Sequence, residues 1–211
     1  MPRSPYPKIM RLTIPENIEP ETLVIAANSF SDDDEFLALC AANPDLRMER
    51  TSDGEVLVMA PCGGESSFQN SEAVGQLREW AIADRRGIVV DSSGGFRLPD
   101  SSIRAADAAW VRKDRLATLS KQAKRKFIPL SPDFVIEVLS PSDKLSEVRA
   151  KMREWVEQGV PLAWLIIPDD RLVEIYRPGQ SAETLRDAHE VRGEGLLDGF
   201  VLTLDRIWEG I

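Results

Sequence analysis

The sequence predicts a mixed α/β (α+β) fold with a central mixed β-sheet flanked by helices, and three observations support this prediction. Helical and strand patterns alternate along the chain. Residues 133–139 are apolar on both sides of the strand alternation, which is typical of a strand buried on both faces. Strand 133–139, helix 144–158 and strand 162–167 form a crossover unit, for which we expect parallel strands and a right-handed connection.

Residues 1–30 are predicted to form an extended N-terminal arm, followed by a single domain over residues 31–211. Prolines at positions 2, 5, 7, 15 and 20 disfavour regular structure near the start of the chain. Ser31-Asp32-Asp33-Asp34 is typical of a helix cap, and the helix is expected to end near Asn43-Pro44. The three acids could suggest a metal site, but favourable placement against the helix dipole explains them more simply.

The following segments alternate strands with helices. Asp53-Gly54, between residues 47–51 and 55–59, predicts a β-hairpin. Apolar residues at helical spacing predict a helix over residues 67–83. The remaining predictions are strands over residues 87–91, 94–99, 105–111 and 172–176, a charged loop or helical segment over residues 112–132, and short strands and turns over residues 181–211.

The composition excludes several kinds of active site. The chain has 211 residues, one histidine and two cysteines. Cys40, Cys62 and His189 cannot supply a structural zinc site, and a single histidine rules out a two-histidine metalloprotease. A Ser-His-Asp triad would need His189, which lies in a polar stretch typical of a surface. Carboxylates and lysines are therefore expected to carry out any catalysis.

The sequence predicts a cytoplasmic protein without membrane contact. Two unclustered cysteines are typical of a reducing compartment. No apolar run approaches the roughly 20 residues that cross a bilayer, and the N-terminal residues lack the apolar stretch of a signal peptide. The net charge of −9 argues against binding polyanions over the whole surface, but it is compatible with a local basic strip or with bound divalent cations.

Two acids stand inside segments that are otherwise apolar. Glu137 lies within strand 133–139, and Asp107 lies within the apolar segment 105–111. A buried carboxylate needs a cation or strong hydrogen-bond donors, because desolvating it alone costs several kcal/mol. Each acid could simply end a strand or pair with an arginine. Two such acids together favour convergence on one divalent ion such as Mg²⁺, which prefers oxygen ligands.

The helix that follows Glu137 supplies two candidate lysines. Lys151 flanks the apolar stripe of this helix and could bend inward to the sheet, or it could extend to water instead. Lys144 is the alternative, because it lies nearer the end of the strand. Glu72, in the helix predicted over residues 67–83, is a third candidate acid, although taken alone it is typical of a solvated helix position.

A family resemblance rests on Asp107, the run from Pro132 to Asp143, Lys151, and the segments 159–166 and 174–177. In these features the chain resembles the Uma2 family, in its cyanobacterial type, over roughly residues 45–178. The resemblance implies the PD-(D/E)XK restriction-endonuclease-like fold and endonuclease activity.

The same resemblance implies roles for individual residues. Asp107 and Glu137 would bind Mg²⁺ (or Mn²⁺), a lysine would assist, and Glu72 would be an additional acid. In the wider superfamily the lysine lies two residues after the strand acid, where this chain has Leu139. The resemblance therefore points to a lysine relocated to the next helix, which is Lys151.

The predicted activity is Mg²⁺-dependent hydrolysis of phosphodiester bonds in DNA, by a homodimer, as the superfamily suggests. The alternative is an inactive nucleic-acid-binding or regulatory module that keeps the nuclease fold. Contacts to the DNA backbone would come from the basic cluster between the two acid-bearing strands, although a solvated basic segment would account for it equally simply. This cluster consists of Lys113, Arg115, Lys121, Lys124, Arg125 and Lys126.

Overall fold

The structure is a computed structural model of the chain that describes residues 23–25, 32–59 and 62–211. The extended arm predicted for residues 1–30 lies outside the described residues, apart from the short strand at 23–25. Among the described residues, no helix has the length and apolar character needed to cross a membrane.

Thirteen strands, five α-helices and two short 3-10 helices follow one another along the described chain. The strands are β1 (Leu23–Ile25), β2 (Arg47–Arg50), β3 (Val56–Met59), β4 (Gly87–Asp91), β5 (Phe96–Arg97), β6 (Ile103–Arg104), β7 (Ala108–Arg112), β8 (Phe134–Val138), β9 (Ala163–Ile167), β10 (Leu172–Tyr176), β11 (Glu183–Arg186), β12 (Glu190–Arg192) and β13 (Val201–Thr203). The helices are α1 (Asp33–Ala42), α2 (Gly64–Asp84), α3 (Lys113–Ala117), α4 (Leu145–Glu157) and α5 (Asp205–Glu209).

The strands form two larger sheets and one small one. A six-stranded sheet has the order β11-β10-β9-β8-β7-β4, a five-stranded sheet has the order β1-β3-β2-β6-β5, and β12 pairs with β13. In the six-stranded sheet β8 and β9 are parallel, and the remaining pairs are antiparallel. The predicted mixed sheet is therefore confirmed, and the strands of the β8-α4-β9 crossover are parallel, as the sequence predicted.

The six-stranded sheet is buried on both faces because its central strands are apolar on both sides. Every residue of β8 and β9 is buried. On one face Phe134 and Trp164 pack in a cluster with residues of α2 and of the C-terminal segment. On the other face Val135 packs with Met152 and Trp155 of α4. Glu137 shares the side-chain direction of Val135, since the two residues are separated by two positions, and so it faces α4.

Several boundaries differ from the sequence predictions. Helix α2 begins at Gly64 rather than near residue 67, and the strand predicted over residues 94–99 is reduced to β5. Strand β7 begins only at Ala108, so Asp107 precedes the strand. The C-terminal segment contains the short helix α5, which the sequence prediction missed. The β2–β3 hairpin is confirmed in antiparallel register, with Arg47 opposite Met59.

We expect Gly87→Ala to destabilise the protein. A Cβ atom at Gly87 of β4 would lie 2.2 Å from the indole of Trp110, whose side chain is fully buried. Since the packed core cannot make room without moving this ring, the free energy of unfolding should fall by about 1–3 kcal/mol in urea titrations.

Gly75→Ala is the matched control for this substitution. Gly75 is an exposed residue of α2, and a Cβ atom added there would have no neighbouring atom within 4 Å. Alanine is the better helix former, so the free energy of unfolding should rise by up to about 1 kcal/mol. Equal stability of Gly87→Ala and the wild type would contradict the tight contact with Trp110.

Candidate active site

The two acids that the sequence singled out meet at one edge of the six-stranded sheet. Strands β7 and β8 are antiparallel, with Ala108 opposite Ile136. The start of β7 therefore lies beside the end of β8, which brings Asp107 next to Glu137 and Val138. The Oδ2 atom of Asp107 accepts a hydrogen bond of 2.9 Å from the backbone N–H of Val138. Both acids are buried.

Helix α4 supplies the polar partners of Glu137. The Oε1 atom of Glu137 accepts a hydrogen bond of 2.9 Å from the indole N–H of Trp155. The same oxygen lies 2.9 Å from the ammonium nitrogen of Lys151. Lys151 and Trp155 are four residues apart, so they lie on the same face of the helix. With only 18% of its side chain exposed, Lys151 points into the protein rather than to solvent.

A third buried acid, Glu49 of β2, could not be identified from the sequence. Its Oε1 atom accepts hydrogen bonds from Lys151 (2.9 Å) and from the backbone N–H of Ala105 (3.1 Å). Its Oε2 atom accepts one of 3.0 Å from Arg104. The segment Arg47-Met48-Glu49-Arg50 carries no apolar pattern that would indicate burial. The partners of Glu49 are 55 to 102 residues away in sequence, so only the folded chain brings them together.

Arg47 and Asn70 approach the remaining oxygen of Asp107. The Oδ1 atom lies 3.4 Å from the Nδ2 atom of Asn70 and 3.7 Å from a guanidinium nitrogen of Arg47. The Oδ1 atom of Asn70 is buried and has no hydrogen-bond partner among the described residues. A buried amide oxygen without a partner is uncommon, and a bound water or ion is one way in which such a group is satisfied.

The pKa values reflect this crowding of buried charges. Burial raises the pKa of Glu137 to about 7, because nearby Asp107 and Glu49 add to the desolvation and the attraction of Lys151 offsets only part of it. Burial also raises the pKa of Asp107. Burial alone would raise the pKa of Glu49, but Lys151 and Arg104 outweigh it and lower the pKa. For Lys151 the surrounding acids outweigh burial and raise the pKa.

These side chains line one cavity of 480 Å³. Asp107, Glu137 and Lys151 share its wall with Glu49 and Arg104. The sheet edge, the β2–β3 hairpin, the N-terminal part of α2 and helix α4 all contribute to it. A concave site with converging ionisable groups of perturbed pKa is the usual form of an active site.

The structure distinguishes the two candidate lysines. Lys144 precedes α4 at its N-cap, has 52% of its side chain exposed and lies 3.8 Å from Glu147. It lines the cavity, but the described contacts with Glu137 and Glu49 are made by Lys151.

The structure does not bring Glu72 into the site. Its carboxylate lies 3.0 Å from the guanidinium of Arg206 in α5, and it is not among the residues that line the cavity. Because α2 turns through 100° per residue, Asn70 faces the cavity while Glu72, two positions on, faces elsewhere.

The basic cluster also lies apart from the cavity, since none of its six residues lines it. Lys113 and Arg115 belong to α3, which follows the end of β7, whereas Asp107 precedes its start. These two basic residues therefore lie at the opposite end of β7 from Asp107. Both have protein partners: Lys113 donates to the carbonyl of Arg85 (2.8 Å), and Arg115 lies 2.9 Å from Asp133. Lys126 pairs with Asp34.

The histidine and the cysteines are placed as the sequence predicts. The side chain of His189 is exposed and lies 2.7 Å from Asp205. Cys40 and Cys62 carry free thiols.

The comparisons with known proteins identify a family and a fold. The family described as Uma2, "Putative restriction endonuclease", matches residues 33–205. A solved structure described as a putative nuclease belonging to DUF820 from Anabaena variabilis ATCC 29413 has a similar fold, with a TM-score of 0.64 and 20% sequence identity. The similarity covers 77% of this chain and 89% of that one. No protein among those with curated annotation matches. At this identity the structural likeness shows a nuclease fold.

We expect Glu137→Gln to reduce the loss of stability that the metal-free protein undergoes as the pH rises. The folded-state pKa of about 7 lies above the value of about 4.3 for an unfolded glutamate. As the pH rises between these values the unfolded chain loses its proton first, so the charge of Glu137 lowers the free energy of unfolding by up to about 3 kcal/mol. The amide side chain of the variant carries no charge, so this decrease in the free energy of unfolding should be absent. Urea unfolding in the presence of a chelator at about pH 4 and pH 8 will measure the difference.

Glu157→Gln, at an exposed position of the same helix, is the control and should keep the pH dependence of the wild type. A Glu137→Gln variant that loses as much stability as the wild type between about pH 4 and pH 8 would contradict this expectation.

Proposed function

Because the chain belongs to the Uma2 family, we propose that this nuclease-like protein hydrolyses phosphodiester bonds in DNA with the help of a divalent cation. The observation that carries the proposal is the convergence of Asp107, Glu137 and Lys151 on one cavity. Carboxylates and a lysine are the groups that such chemistry needs, and no histidine is required.

The residues at the sheet edge fit a hard divalent cation. Asp107 and Glu137 offer carboxylate oxygens, and the Oδ1 atom of Asn70 is buried without a partner among the described residues. Val138, which also lines the cavity, has a backbone carbonyl oxygen. Among the described residues no three His, Cys, Asp or Glu side chains are grouped so that they could hold a metal. Two carboxylates with amide or carbonyl oxygens suit Mg²⁺, which is commonly held by one or two carboxylates, waters and substrate phosphates.

When bound, the cation would lower the pKa of a water and neutralise charge on the phosphate. Hydrogen bonds within the protein fix the orientation of the two carboxylates. The backbone N–H of Val138 orients Asp107, and the indole N–H of Trp155 orients Glu137. Lys151 lies against Glu137, and its positive charge can stabilise the negative charge that develops on a phosphate oxygen. Arg47, beside Asp107, is a second cation facing the cavity.

We further propose a homodimer, since nucleases that cut both strands of a duplex often use two sites, and the family resemblance supports this. We also propose a cytoplasmic location, which the two unclustered cysteines support.

An inactive binding or regulatory module is the second candidate. The position of the basic cluster favours it, because Lys113 and Arg115 lie at the opposite edge of the sheet from the acids. The net charge of −9 argues against binding polyanions over the whole surface, which suits a regulatory module. A protein that only binds would use that cluster without needing the buried acids.

We expect Mn²⁺ to bind at Asp107 and Glu137. Removing either carboxylate takes away one charged oxygen ligand, so titration calorimetry of Asp107→Asn and of Glu137→Gln should show at least about a tenfold weaker affinity. Glu72→Gln should bind as the wild type does, because Glu72 pairs with Arg206 outside the cavity. Loss of binding in Glu72→Gln alone would place the ion at α2 instead.

We expect purified protein to cleave plasmid or single-stranded DNA in the presence of Mg²⁺ or Mn²⁺. Asp107→Asn, Glu137→Gln and Lys151→Met should each lower the rate by at least about 100-fold, because each removes a group from the reacting centre. Glu157→Gln, exposed on α4, is the purification-matched control.

Equal cleavage by all the variants would indicate a contaminant, and full activity of both acid variants would refute the assignment. Binding of DNA without cleavage by the wild type would favour the second candidate.

A further inference from the structure

We propose that Glu49 is a positioning residue that holds the ammonium group of Lys151 beside Glu137, an inference that rests on the proposed function. Glu49 is only 2% exposed and is contributed by β2, in a different sheet from Asp107 and Glu137.

The hydrogen bonding of Lys151 gives the first support for this role. An ammonium group has three N–H donors. Lys151 donates to the Oε1 atom of Glu49 (2.9 Å) and to the carbonyl of Ala105 (2.8 Å). Its nitrogen lies 2.9 Å from the Oε1 atom of Glu137. Two of the three partners are therefore Glu49 and Ala105, and these two contacts hold the ammonium group beside Glu137.

Lys151 lies on helix α4, and its long side chain needs a contact that fixes the position of its ammonium group. A lysine side chain has four carbons in a flexible stem, and its head can move over several ångströms when nothing holds it. Helix α4 packs on the sheet through Met152 and Trp155, which fixes the backbone but not the ammonium group. A contact with a buried carboxylate removes this freedom.

Glu49 is itself held in place and fully engaged. Its Oε1 atom also accepts the backbone N–H of Ala105, and its Oε2 atom accepts from Arg104. Arg104 in turn donates two hydrogen bonds to Glu154, at 2.8 and 2.6 Å. Both carboxylate oxygens of Glu49 are therefore occupied by protein donors. Glu49 is placed to act through Lys151 rather than on a substrate.

A double-mutant cycle tests this role. In DNA cleavage assays Glu49→Gln should lower kcat by about 10- to 100-fold, since a catalytic group displaced by about an ångström loses that much. The KM for DNA should stay within about twofold of the wild type. In a Lys151→Met background the same Glu49→Gln change should cost less than about twofold, because the group that Glu49 positions is already absent. The same fold-loss in both backgrounds would overturn the proposal.

Glu174→Gln is the matched control for burial and charge. Glu174 is also a buried acid, in β10, and it accepts a hydrogen bond of 3.0 Å from Arg149 of α4. It does not line the cavity. Its substitution should lower the melting temperature while kcat stays within about twofold of the wild type. A loss of kcat in Glu174→Gln as large as that in Glu49→Gln would mean that both act through the stability of the fold, which would overturn the proposal.

Mn²⁺ affinity separates positioning from direct ligation. Glu49→Gln should keep the wild-type dissociation constant within about threefold, whereas Asp107→Asn should not. An equal loss in both variants would make Glu49 a metal ligand instead.

If the wild type does not cleave DNA, the proposed function fails. The melting temperatures of the single and double variants then test whether Glu49 and Lys151 interact, independently of activity. Non-additive shifts for Glu49→Gln and Lys151→Met support the contact, and additive shifts refute it.

Discussion

The rest of the site depends on the ion pairs that the ammonium group of Lys151 makes with Glu49 and Glu137. These two carboxylates belong to different sheets. Glu49 belongs to the five-stranded sheet and Glu137 to the six-stranded sheet. Without a cation between them, two buried acids would repel each other in a medium that screens poorly. The lysine therefore joins the sheets electrostatically and holds a charged group beside the acid pair at the same time.

A ring of ion pairs extends this contact. From Lys151 it passes to Glu49, then to Arg104, and returns to α4 at Glu154. Buried ion pairs contribute little net stability when desolvation is counted, but each leaves an unpaired charge when one partner is removed. The ring therefore specifies the position of α4 more than it strengthens the fold. The apolar packing of Met152 and Trp155 supplies the stabilisation beneath it.

The sequence alone predicted the central sheet, because β8 and β9 carry apolar residues on both faces, which is typical of buried central strands. It also singled out Asp107 and Glu137, since an acid in an apolar segment contradicts the local pattern. Glu49 could not be found in this way. It stands in a polar strand, and its burial results from side chains more than 50 residues away. Local patterns identify residues that violate their surroundings in sequence, and they cannot identify residues whose surroundings exist only in the folded protein.

The carboxylates of the site and its hydrogen-bond donors are contributed by different kinds of secondary structure. Asp107 and Glu137 are held by the pairing of β7 with β8, whereas Lys151 and the indole of Trp155 arrive with α4. An excursion of α4 away from the sheet would remove lysine and indole together and leave the acids in place. Catalytic competence therefore depends on the docking of one thirteen-residue helix in addition to the pairing of the strands.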